Sequence, residues 1–433
     1  MTACAAGPPV SVALDPAVRY QTILGWGKTA PEMSASPAVR DLVLDLAVND
    51  LGLTRLRIEP PGGHGPHRRR WEWLNDNSDP DDINWSALNT GDFDQLLQQW
   101  VVPFKQRVEA RGEPFDCYVS PSFFNHGSTG EVPAWLLHSP GEYAEYALSL
   151  LLYMKQKYGI AANYYCICNE AGNDNSFSPQ VVARMIRALG PKLRAAGLPT
   201  AIQFPESINA REAWRYVQTV QDQPDVLQWL GLVSYHWYGK NNQQYMPKLR
   251  DFARAQGLPT AQTEYMWLKI DHLYDDLTLG RVSYWEIYGL AGPDWRAALT
   301  HVSSTTFRGG PRYWTFRQVL HYVRPGAVRI KATSSEQALR VLAFERGGRM
   351  TVVLINTSEP LQDRAVKVQG LPAGTYGVCQ SVAARPYREL GPRHVGADGR
   401  LVVDVPAKAV LTIYPRDEAN LPPTLTQWRS TPE

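Results

Sequence analysis

The sequence has no long apolar run and no strong excess of either charge. Its 44 Lys and Arg side chains nearly balance 42 Asp and Glu side chains, which leaves a formal net charge of +2 over 433 residues. A membrane-spanning helix needs about 20 predominantly apolar residues, and a protein that binds nucleic acid or anionic membranes usually carries a large positive charge. The sequence therefore predicts no membrane span and no nucleic-acid partner.

Cysteine is also scarce. The five cysteines are odd in number and widely spaced: Cys4, Cys117, Cys166, Cys168 and Cys379. Such a set predicts no disulfide framework, and no CxxC or HxxxH pair completes a zinc site with Cys166 and Cys168. We interpret the cysteines as small apolar residues of the interior.

The first residues, MTACAAGPPVSVALDP, lack the charged start and apolar core of a signal peptide. Two alternatives follow. The protein acts inside the cell, or it is the mature form of a secreted protein whose signal peptide has been removed. We favour the secreted alternative over a cytoplasmic one.

Aromatic residues, by contrast, are plentiful, because 14 Trp and 21 Tyr contribute to an aromatic content of 11%. Aromatic faces in open clefts stack against flat apolar ligand surfaces, including the C–H faces of sugars. Core packing explains the same residues equally well, so both interpretations stay open.

Short apolar segments alternate with longer helical segments from about residue 20 to residue 320. Eight such segments are predicted strands: 22–27, 54–60, 115–122, 163–170, 200–207, 230–239, 260–267 and 282–288. Eight strand–helix units over this length are typical of a (β/α)8 TIM barrel, an α/β fold. A doubly wound sheet is the rival, but no GxGxxG follows the first strand.

The pattern changes after residue 321. Alternating strands separated by Gly, Pro, Asn or Asp follow one another without a helical run, which predicts an antiparallel β-sandwich. We therefore expect an N-terminal segment at 1–20 that joins the sandwich, a barrel at 21–321 and a β-sandwich domain at 322–433.

Carboxylates end two of the predicted barrel strands. Glu170 follows Asn169 at the end of the fourth strand, and Glu264 ends the seventh. Active sites of (β/α)8 barrels lie at the C-terminal ends of the strands, and a pair of carboxylates across such a site is the arrangement that cleaves glycosidic bonds. Each Glu alone is more often structural, whereas the pair favours a site. Strict alternation cannot turn both Asn169 and Glu170 inward, so we expect a bulge or twist there.

The second strand carries charges at every other position, Arg55, Arg57 and Glu59, where a parallel strand is normally apolar on both faces. We interpret this row as facing a polar site inside the barrel, with a salt-bridged interior as the alternative. The sixth strand ends in the aromatic sequence SYHWYG, which borders the same site.

In these features the chain resembles glycoside hydrolase family 30, within the (β/α)8 clan of retaining enzymes. The matching segments are QTILGWG, SPSFF with PAWL, CNE, HWYG, TEY and, most specifically, YWTFRQVLHYVRPGAVRI. They occur in the expected order over nearly the full length. The resemblance implies a hydrolase that cleaves β-linked oligo- or polysaccharides with retention, through a glycosyl-enzyme intermediate and with no metal or organic cofactor.

The resemblance also implies roles for individual residues. Glu170 is expected to be the general acid/base, with a pKa raised by the charge of Glu264, and Glu264 the nucleophile. The implied substrate-binding and neighbouring residues are Arg57 beside the nucleophile, Asn169 at the sugar 2-hydroxyl, Tyr238 near the nucleophile, Trp285 stacked under the sugar in the −1 subsite, and His236 in the wall. For His236 a purely structural role is the alternative.

Departures from the family leave the identity of the sugar open. GWGKTAPEM replaces a Gly-rich turn, and Phe123 lies near the position after the third strand where a Trp is common. A long insert follows the second strand, and there Glu59, Trp71 and Trp73 either shape the sugar pocket or belong to a solvated insert with packed Trp residues.

Two other functions fit the same residues. One is a catalytically silent barrel that binds carbohydrate, although such a barrel usually loses one of the two carboxylates. The other is a transglycosidase or a glycosidase of glycolipids. Each function predicts a carbohydrate partner.

Overall fold

The computed structural model describes residues 9–30, 36–62, 70–124, 127–173, 176–292, 299–303, 306–358, 361–382 and 385–416. Eight parallel strands within these ranges close into a barrel in chain order. They are β2 (Gly25–Ala30), β3 (Arg55–Ile58), β4 (Asp116–Val119), β5 (Tyr164–Cys166), β6 (Ala201–Ser207), β7 (Leu230–His236), β8 (Thr260–Glu264) and β9 (Tyr284–Ile287). Each overlaps one predicted strand, so the predicted TIM barrel is confirmed.

Helices connect the strands of the barrel. They are α1 (Pro37–Asp45), α2 (Gly91–Leu96), α3 (Val102–Ala110), α4 (Ala134–His138), α5 (Pro140–Tyr158), α6 (Pro179–Ala195), α7 (Ala210–Val220), α8 (Pro224–Leu227), α9 (Asn242–Ala255), α10 (Ile270–Asp275) and α11 (Pro311–Leu320), with π-helical turns at Leu46–Asp50, Leu97–Val101 and Asp276–Gly280 and a 3-10 turn at Trp85–Ala87. None of the described helices combines the length and the apolarity that a membrane span requires.

The second layer is a nine-stranded sheet that forms the predicted β-sandwich. Its strands are β1 (Val10–Thr22), β13 (Val328–Ser334), β14 (Leu339–Arg346), β15 (Arg349–Asn356), β16 (Arg364–Gln369), β17 (Gly374–Val382), β18 (Arg385–Val395), β19 (Arg400–Val405) and β20 (Val410–Pro415). Strand β1 pairs antiparallel with β13 but parallel with β16, so the sheet is mixed rather than wholly antiparallel as expected. A small third sheet joins β10 (Ala291–Gly292), β11 (Leu299–Ser303) and β12 (Thr306–Gly309).

Helix α5 begins at the end of the barrel where the strands finish. Its N-cap is Ser139, whose Oγ accepts a hydrogen bond from the Glu142 N–H at 3.4 Å. Gly159 ends the helix with a φ of 65°, a left-handed conformation that glycine adopts without strain. The first two turns of α5 therefore carry Glu142 and Glu145 to the same end of the barrel as the predicted site.

The interior of the barrel is polar near its centre. Arg55 is fully buried and donates to Glu286 Oε1 at 2.8 Å, to Asp116 Oδ1 at 2.5 Å and to Gln203 Oε1 at 2.6 Å. Its guanidinium also lies 4.0 Å from the centre of the Tyr284 ring. The charged side chains of the second predicted strand thus face the interior of the barrel. Arg55 and its carboxylate partners form a salt-bridged layer beneath the site.

Helix α11 joins the barrel to the sandwich. On the sandwich side, Thr412 Oγ1 donates to Gln318 O at 2.7 Å, and Gln318 Nε2 donates to Ser381 Oγ at 2.7 Å. On the barrel side, Arg317 Nε donates to Asp50 Oδ1 at 2.8 Å. Because all of these side chains are buried, the two layers share one hydrogen-bonded seam.

Candidate active site

Glu170 and Glu264 lie together at the C-terminal mouth of the barrel. Glu264 is the last residue of β8, and Glu170 lies in the turn after β5. One carboxylate oxygen of each lies within 4.8 Å of the other and of a ring nitrogen of His236. The two Glu residues are only 6% and 5% exposed. Both carboxylates therefore face one partly enclosed site.

The backbone at Glu170 explains how neighbouring residues both reach this mouth. Glu170 has a φ of 52°, so the regular alternation of β5 ends before it. Its N–H donates to Glu206 O at 2.9 Å, and the Asn169 N–H donates to Pro121 O at 2.8 Å. Asn169 is buried, and its Oδ1 has no hydrogen-bond partner among the described residues. The expected irregularity is present as a left-handed turn rather than a β-bulge.

Two side chains orient the Glu264 carboxylate. Arg57 Nη1 donates to Glu264 Oε2 at 2.5 Å, and Tyr238 OH donates to Glu264 Oε1 at 2.7 Å. Arg57 also binds Glu59, with 3.0 Å between Arg57 Nε and Glu59 Oε1, and Ser128 Oγ donates to the second oxygen of Glu59. Hydrogen bonds to an ionised carboxylate stabilise its charge and fix its direction.

His236 lies between the two carboxylates. Its Nδ1 is 3.0 Å from Glu170 Oε1 and 3.7 Å from Glu264 Oε2, and its Nε2 is 3.7 Å from Glu206 Oε1. Burial opposes charge on the ring, but these carboxylates, led by Glu264, raise the pKa of His236 to about 9. Although burial acts in the opposite direction, the hydrogen bond and charge of His236 lower the pKa of Glu170. The expectation of a raised pKa for Glu170 is therefore wrong for this arrangement, because the hydrogen bonds and nearby positive charges, led by those of His236, outweigh burial.

A further carboxylate, Glu206, lies beneath the site and was not predicted. It is fully buried, accepts hydrogen bonds from Tyr118 OH at 3.0 Å and Ser120 Oγ at 3.1 Å, and lies 3.7 Å from Arg57 Nη1. Burial opposes its ionisation, but the nearby His236 ring and the charge of Arg57 lower its pKa. The available signal was a Glu at the end of the fifth predicted strand, TAIQFPES.

The structure does not bring Trp285 to the site. Its Nε1 donates to Asp276 Oδ2 at 3.0 Å, and its ring packs edge-on against Phe316 with 5.0 Å between ring centres. Trp285 is fully buried among residues outside the barrel wall. The prediction that it stacks under the sugar is therefore wrong, because side chains of β9 alternate and Trp285 is on the outer face.

Tyr288 lies on the inner face instead, in register with Tyr284 and Glu286. The Arg57 guanidinium is 5.7 Å from the centre of its ring. Burial, followed by the nearby charges of Glu59 and Glu264, raises the pKa of Tyr288. Sequence reasoning missed Tyr288, although the inward charge of Glu286 on the same strand marked the face to which it belongs.

Phe123 is also buried in the protein core. It is buried at 1% exposure and stacks on Phe177 with 5.7 Å between ring centres, beside Tyr143 and Tyr146. It therefore belongs to an aromatic core behind the site, and its prediction as a substrate contact is wrong. In the insert, Trp71 is similarly buried and donates through Nε1 to Ser149 Oγ at 2.8 Å.

An aromatic cluster flanks Tyr238 at the rim. Its members are Tyr265 and Trp267, whose ring centres lie 5.2 and 6.0 Å from that of Tyr238. Trp267 is 38% exposed. An exposed indole beside the carboxylate pair offers a flat apolar surface of the kind on which sugar rings stack.

The donor atoms of Glu170, His236 and Glu264 are close enough to approach a single cation. However, Glu264 already accepts hydrogen bonds on both oxygens from Arg57 and Tyr238, and His236 with its raised pKa carries a proton. A metal ligand must be a deprotonated imidazole. The donor set therefore suits proton transfer better than metal binding, and the absence of a cofactor stays a prediction.

No family model matches the sequence. Among solved structures, the chain is similar to a family 30 subfamily 8 xylanase from Clostridium acetobutylicum, with 18% identity, a TM-score of 0.70, and coverage of 93% of this chain and 98% of that one. It is also similar to an endo-β-1,6-glucanase, at 18% identity, TM-score 0.65, and coverage of 94% and 93%. A conserved exported protein from Bacteroides fragilis matches at 17% identity, TM-score 0.68, and coverage of 93% and 99%. The expected likeness to glycoside hydrolase family 30 is thus confirmed for the fold.

Proposed function

We propose that this protein, which has the fold of glycoside hydrolase family 30, is a retaining β-glycoside hydrolase acting on β-linked oligo- or polysaccharides. The observation that carries the proposal is the approach of a Glu170 oxygen to within 4.8 Å of a Glu264 oxygen at the mouth of the barrel. Retaining enzymes have carboxyl groups about 5–5.5 Å apart, whereas inverting enzymes leave room for a water between more distant groups.

In the first step, Glu264 attacks the anomeric carbon and the glycosidic C–O bond breaks. Arg57 and Tyr238 each donate to one oxygen of Glu264, and these hydrogen bonds fix the direction of its carboxylate. Glu170 gives its proton to the leaving oxygen. The products are a covalent glycosyl-enzyme on Glu264 and a free hydroxyl on the departing sugar.

The proton for this step is shared by Glu170 and His236. In the resting site the lowered pKa of Glu170 and the raised pKa of His236 keep the proton on the ring. The 3.0 Å contact between His236 Nδ1 and Glu170 Oε1 gives a direct path by which the proton moves to Glu170 when substrate arrives. Such a pair titrates as a unit.

In the second step, a water attacks the anomeric carbon and gives a proton to Glu170. The bond between the anomeric carbon and Glu264 breaks, and the sugar leaves with its original configuration. The Glu170–His236 pair regains its proton, so the cycle needs no further acid or base.

The substrate contacts follow from the surroundings of the pair. Asn169 Oδ1 is buried without a described partner, which fits a hydrogen bond to a sugar hydroxyl. Tyr288 lies beside Arg57, and Trp267 offers a stacking surface at the rim. The structurally similar xylanase and endo-β-1,6-glucanase support a polysaccharide substrate. The structurally similar exported protein from Bacteroides fragilis supports secretion of this protein.

A panel of aryl β-glycosides, xylan and β-1,6-glucan tests this proposal, with NMR of the first anomer released. We expect hydrolysis of at least one substrate and a β-anomer as the first product. A first-formed α-anomer would overturn the two-step mechanism. Sugar binding without turnover would indicate the silent barrel, and predominant transfer to added alcohols would indicate a transglycosidase.

Replacement of His236 by Asn is expected to move the alkaline limb of the kcat/KM profile to lower pH, by about one unit or more. In the wild type the pair loses its proton as the pH rises through the His236 pKa of about 9. In the variant, Glu170 must hold the proton alone. The matched control is His272→Asn on α10, which removes an imidazole that packs at a tilt against Trp237. An unchanged limb in His236→Asn would show that the ring does not store the proton.

Trp267→Ala is expected to raise KM for an oligosaccharide about 5- to 10-fold, with a smaller effect on an aryl monoglycoside. The reason is the loss of the exposed rim surface, which a longer substrate covers. Trp214→Ala, which removes an indole beside Lys248 on the helical layer, is the control. Equal changes in KM for the short and long substrates would argue against a role in stacking.

A further inference from the structure

Four carboxylates gather where the insert after β3 meets the first turns of α5. They are Glu72 and Asp76 from the insert and Glu142 and Glu145 from the helix. Glu72, Glu142 and Glu145 are only 3%, 8% and 3% exposed. Within the described part of the chain, none of the four forms an ion pair with a Lys or Arg side chain at 4.0 Å or less.

The free oxygens of this group point at one another. One oxygen each of Asp76, Glu142 and Glu145 lies within 4.8 Å of the other two. Asp76 Oδ1, Glu142 Oε2 and both oxygens of Glu145 are buried and have no hydrogen-bond partner among the described residues. Glu145, at 3% exposure, is thus an unpartnered acid aimed into a cluster of other acids.

The hydrogen-bond donors near the four carboxylates hold the insert in place but do not neutralise the negative charge of the cluster. The Asn84 N–H donates to Asp76 Oδ2 at 2.5 Å, and the Asp76 N–H donates to Glu72 Oε1 at 3.1 Å. The nearby cation is Lys192 on α6, but its ammonium binds Asp81 and the Pro80 carbonyl. Some carboxylate oxygens of the cluster therefore accept hydrogen bonds from the insert, whereas the oxygens that face the centre of the cluster accept none from the described residues.

Such a group is unfavourable without a counter-charge. Burial, followed by the neighbouring carboxylates, raises the pKa of both Glu72 and Glu145 to about 8. The charges that face Glu145 are those of Asp76, Glu142, Asp79 and, with opposite sign, Lys192. Buried ionised carboxylates that lack partners cost several kcal/mol each unless a cation or a proton compensates them.

We propose that Asp76, Glu142 and Glu145, with Glu72 beside them, bind a Ca²⁺ ion that fastens the insert to the N-terminal end of α5. The donors are all oxygen, which suits a hard cation. Ca²⁺ accepts six to eight oxygens in irregular arrangements, including bidentate carboxylates and waters, whereas Mg²⁺ demands a near-ideal octahedron. Glu145, with two free oxygens, provides a bidentate ligand.

The position of this site links it to the mouth of the barrel. The insert leaves β3, the strand that carries Arg57, and Trp71 within it also contacts α5 through Ser149. A cation at this junction would therefore fasten the insert to α5, using carboxylates other than Glu170 and Glu264.

The test is calorimetric titration of the full-length, chelator-treated protein with CaCl₂, paired with thermal unfolding. We expect one saturable site per chain and a Tm increase of about 4 °C or more at saturating Ca²⁺. Glu145→Gln and Glu142→Gln should each weaken binding at least about 10-fold. Glu109→Gln, which alters an exposed ion pair with Lys105 on α3, should bind as the wild type does.

The pH dependence gives a second readout. Because the folded-state pKa of Glu72 and Glu145 is raised, their contribution to stability is present at low pH and is lost as the pH rises through about 8. We expect Ca²⁺ to reverse that loss and to release protons on binding at pH 7, measured as a binding enthalpy that varies with the buffer. Metal-free Glu145→Gln should be at least as stable as the metal-free wild type. Absence of saturable binding at millimolar Ca²⁺, or unchanged binding in both Gln variants, overturns the proposal.

Discussion

Glu264→Ala is expected to lower kcat/KM for the best aryl β-glycoside by about 10⁴-fold or more, because it removes the group that forms the covalent intermediate. The partners of that group, Arg57 and Tyr238, remain in place but have no carboxylate to orient. The variant should keep its Tm within a few degrees, since Arg57 retains its ion pair with Glu59 when Glu264 is removed. Retention of near-wild-type activity would remove Glu264 from the mechanism.

Azide separates the roles of the two carboxylates. In Glu264→Ala, azide occupies the space of the nucleophile and should give the α-glycosyl azide. In Glu170→Ala the intermediate still forms on Glu264, so azide should capture it as the β-glycosyl azide, especially from substrates with activated leaving groups. The two products, distinguished by NMR, test the assignment more directly than loss of rate. The same azide product from both variants would contradict it.

Arg55→Met is expected to cause the largest loss of stability, about 4 kcal/mol, because it leaves Asp116 and Glu286 buried without their shared cation. Burial already raises the pKa of Glu286 to about 7 while Arg55 opposes that effect. The measurement is the midpoint of urea unfolding followed by Trp fluorescence. Arg187→Met is the matched control: its ion pair with Asp225 is largely exposed, so we expect a loss of about 1 kcal/mol or less.

The loss in Arg55→Met should also depend on pH. Without the guanidinium, the folded-state pKa values of Asp116 and Glu286 rise further above their unfolded values. Their stabilising protonation is complete at low pH and is lost as the pH rises. The difference from the wild type should therefore be smaller at pH 5 than at pH 8. A difference that does not change with pH would mean that lost packing, not buried charge, dominates.

The framework of this site was predictable because it rests on periodic patterns. Eight apolar segments gave the order of the barrel strands, and the rule that polar strand ends share one mouth brought Glu170 and Glu264 together. The position of Arg57 was predictable for a related reason. A charged side chain on a strand that is buried on both faces is best accommodated in a polar site inside the barrel. These inferences need chain order and alternation, but no distances.

The remainder of the site depends on local geometry that a sequence does not fix. Alternate side chains of β9 face opposite sides of the barrel wall. A shift of one residue therefore decides whether Trp285 or the pair Glu286 and Tyr288 faces the interior. Glu170 reaches the mouth only through a left-handed turn, and its low pKa follows from the position of His236. Phe123 shows the same limit in a loop, because an aromatic residue there fits a core as well as a cleft.

Strand β1 has a consequence for how the protein is made. Its Ser11 N–H donates to Ser335 Oγ across 324 residues, and β1 is an inner strand of the sheet, between β13 and β16. During synthesis this strand therefore emerges before the barrel and remains without either partner until the barrel is complete. The strand buries three apolar side chains in the finished sheet, those of Val10, Val12 and Leu14. Until β13 and β16 are made, these side chains lack their partners in the sheet, and chaperones can bind the strand during that interval.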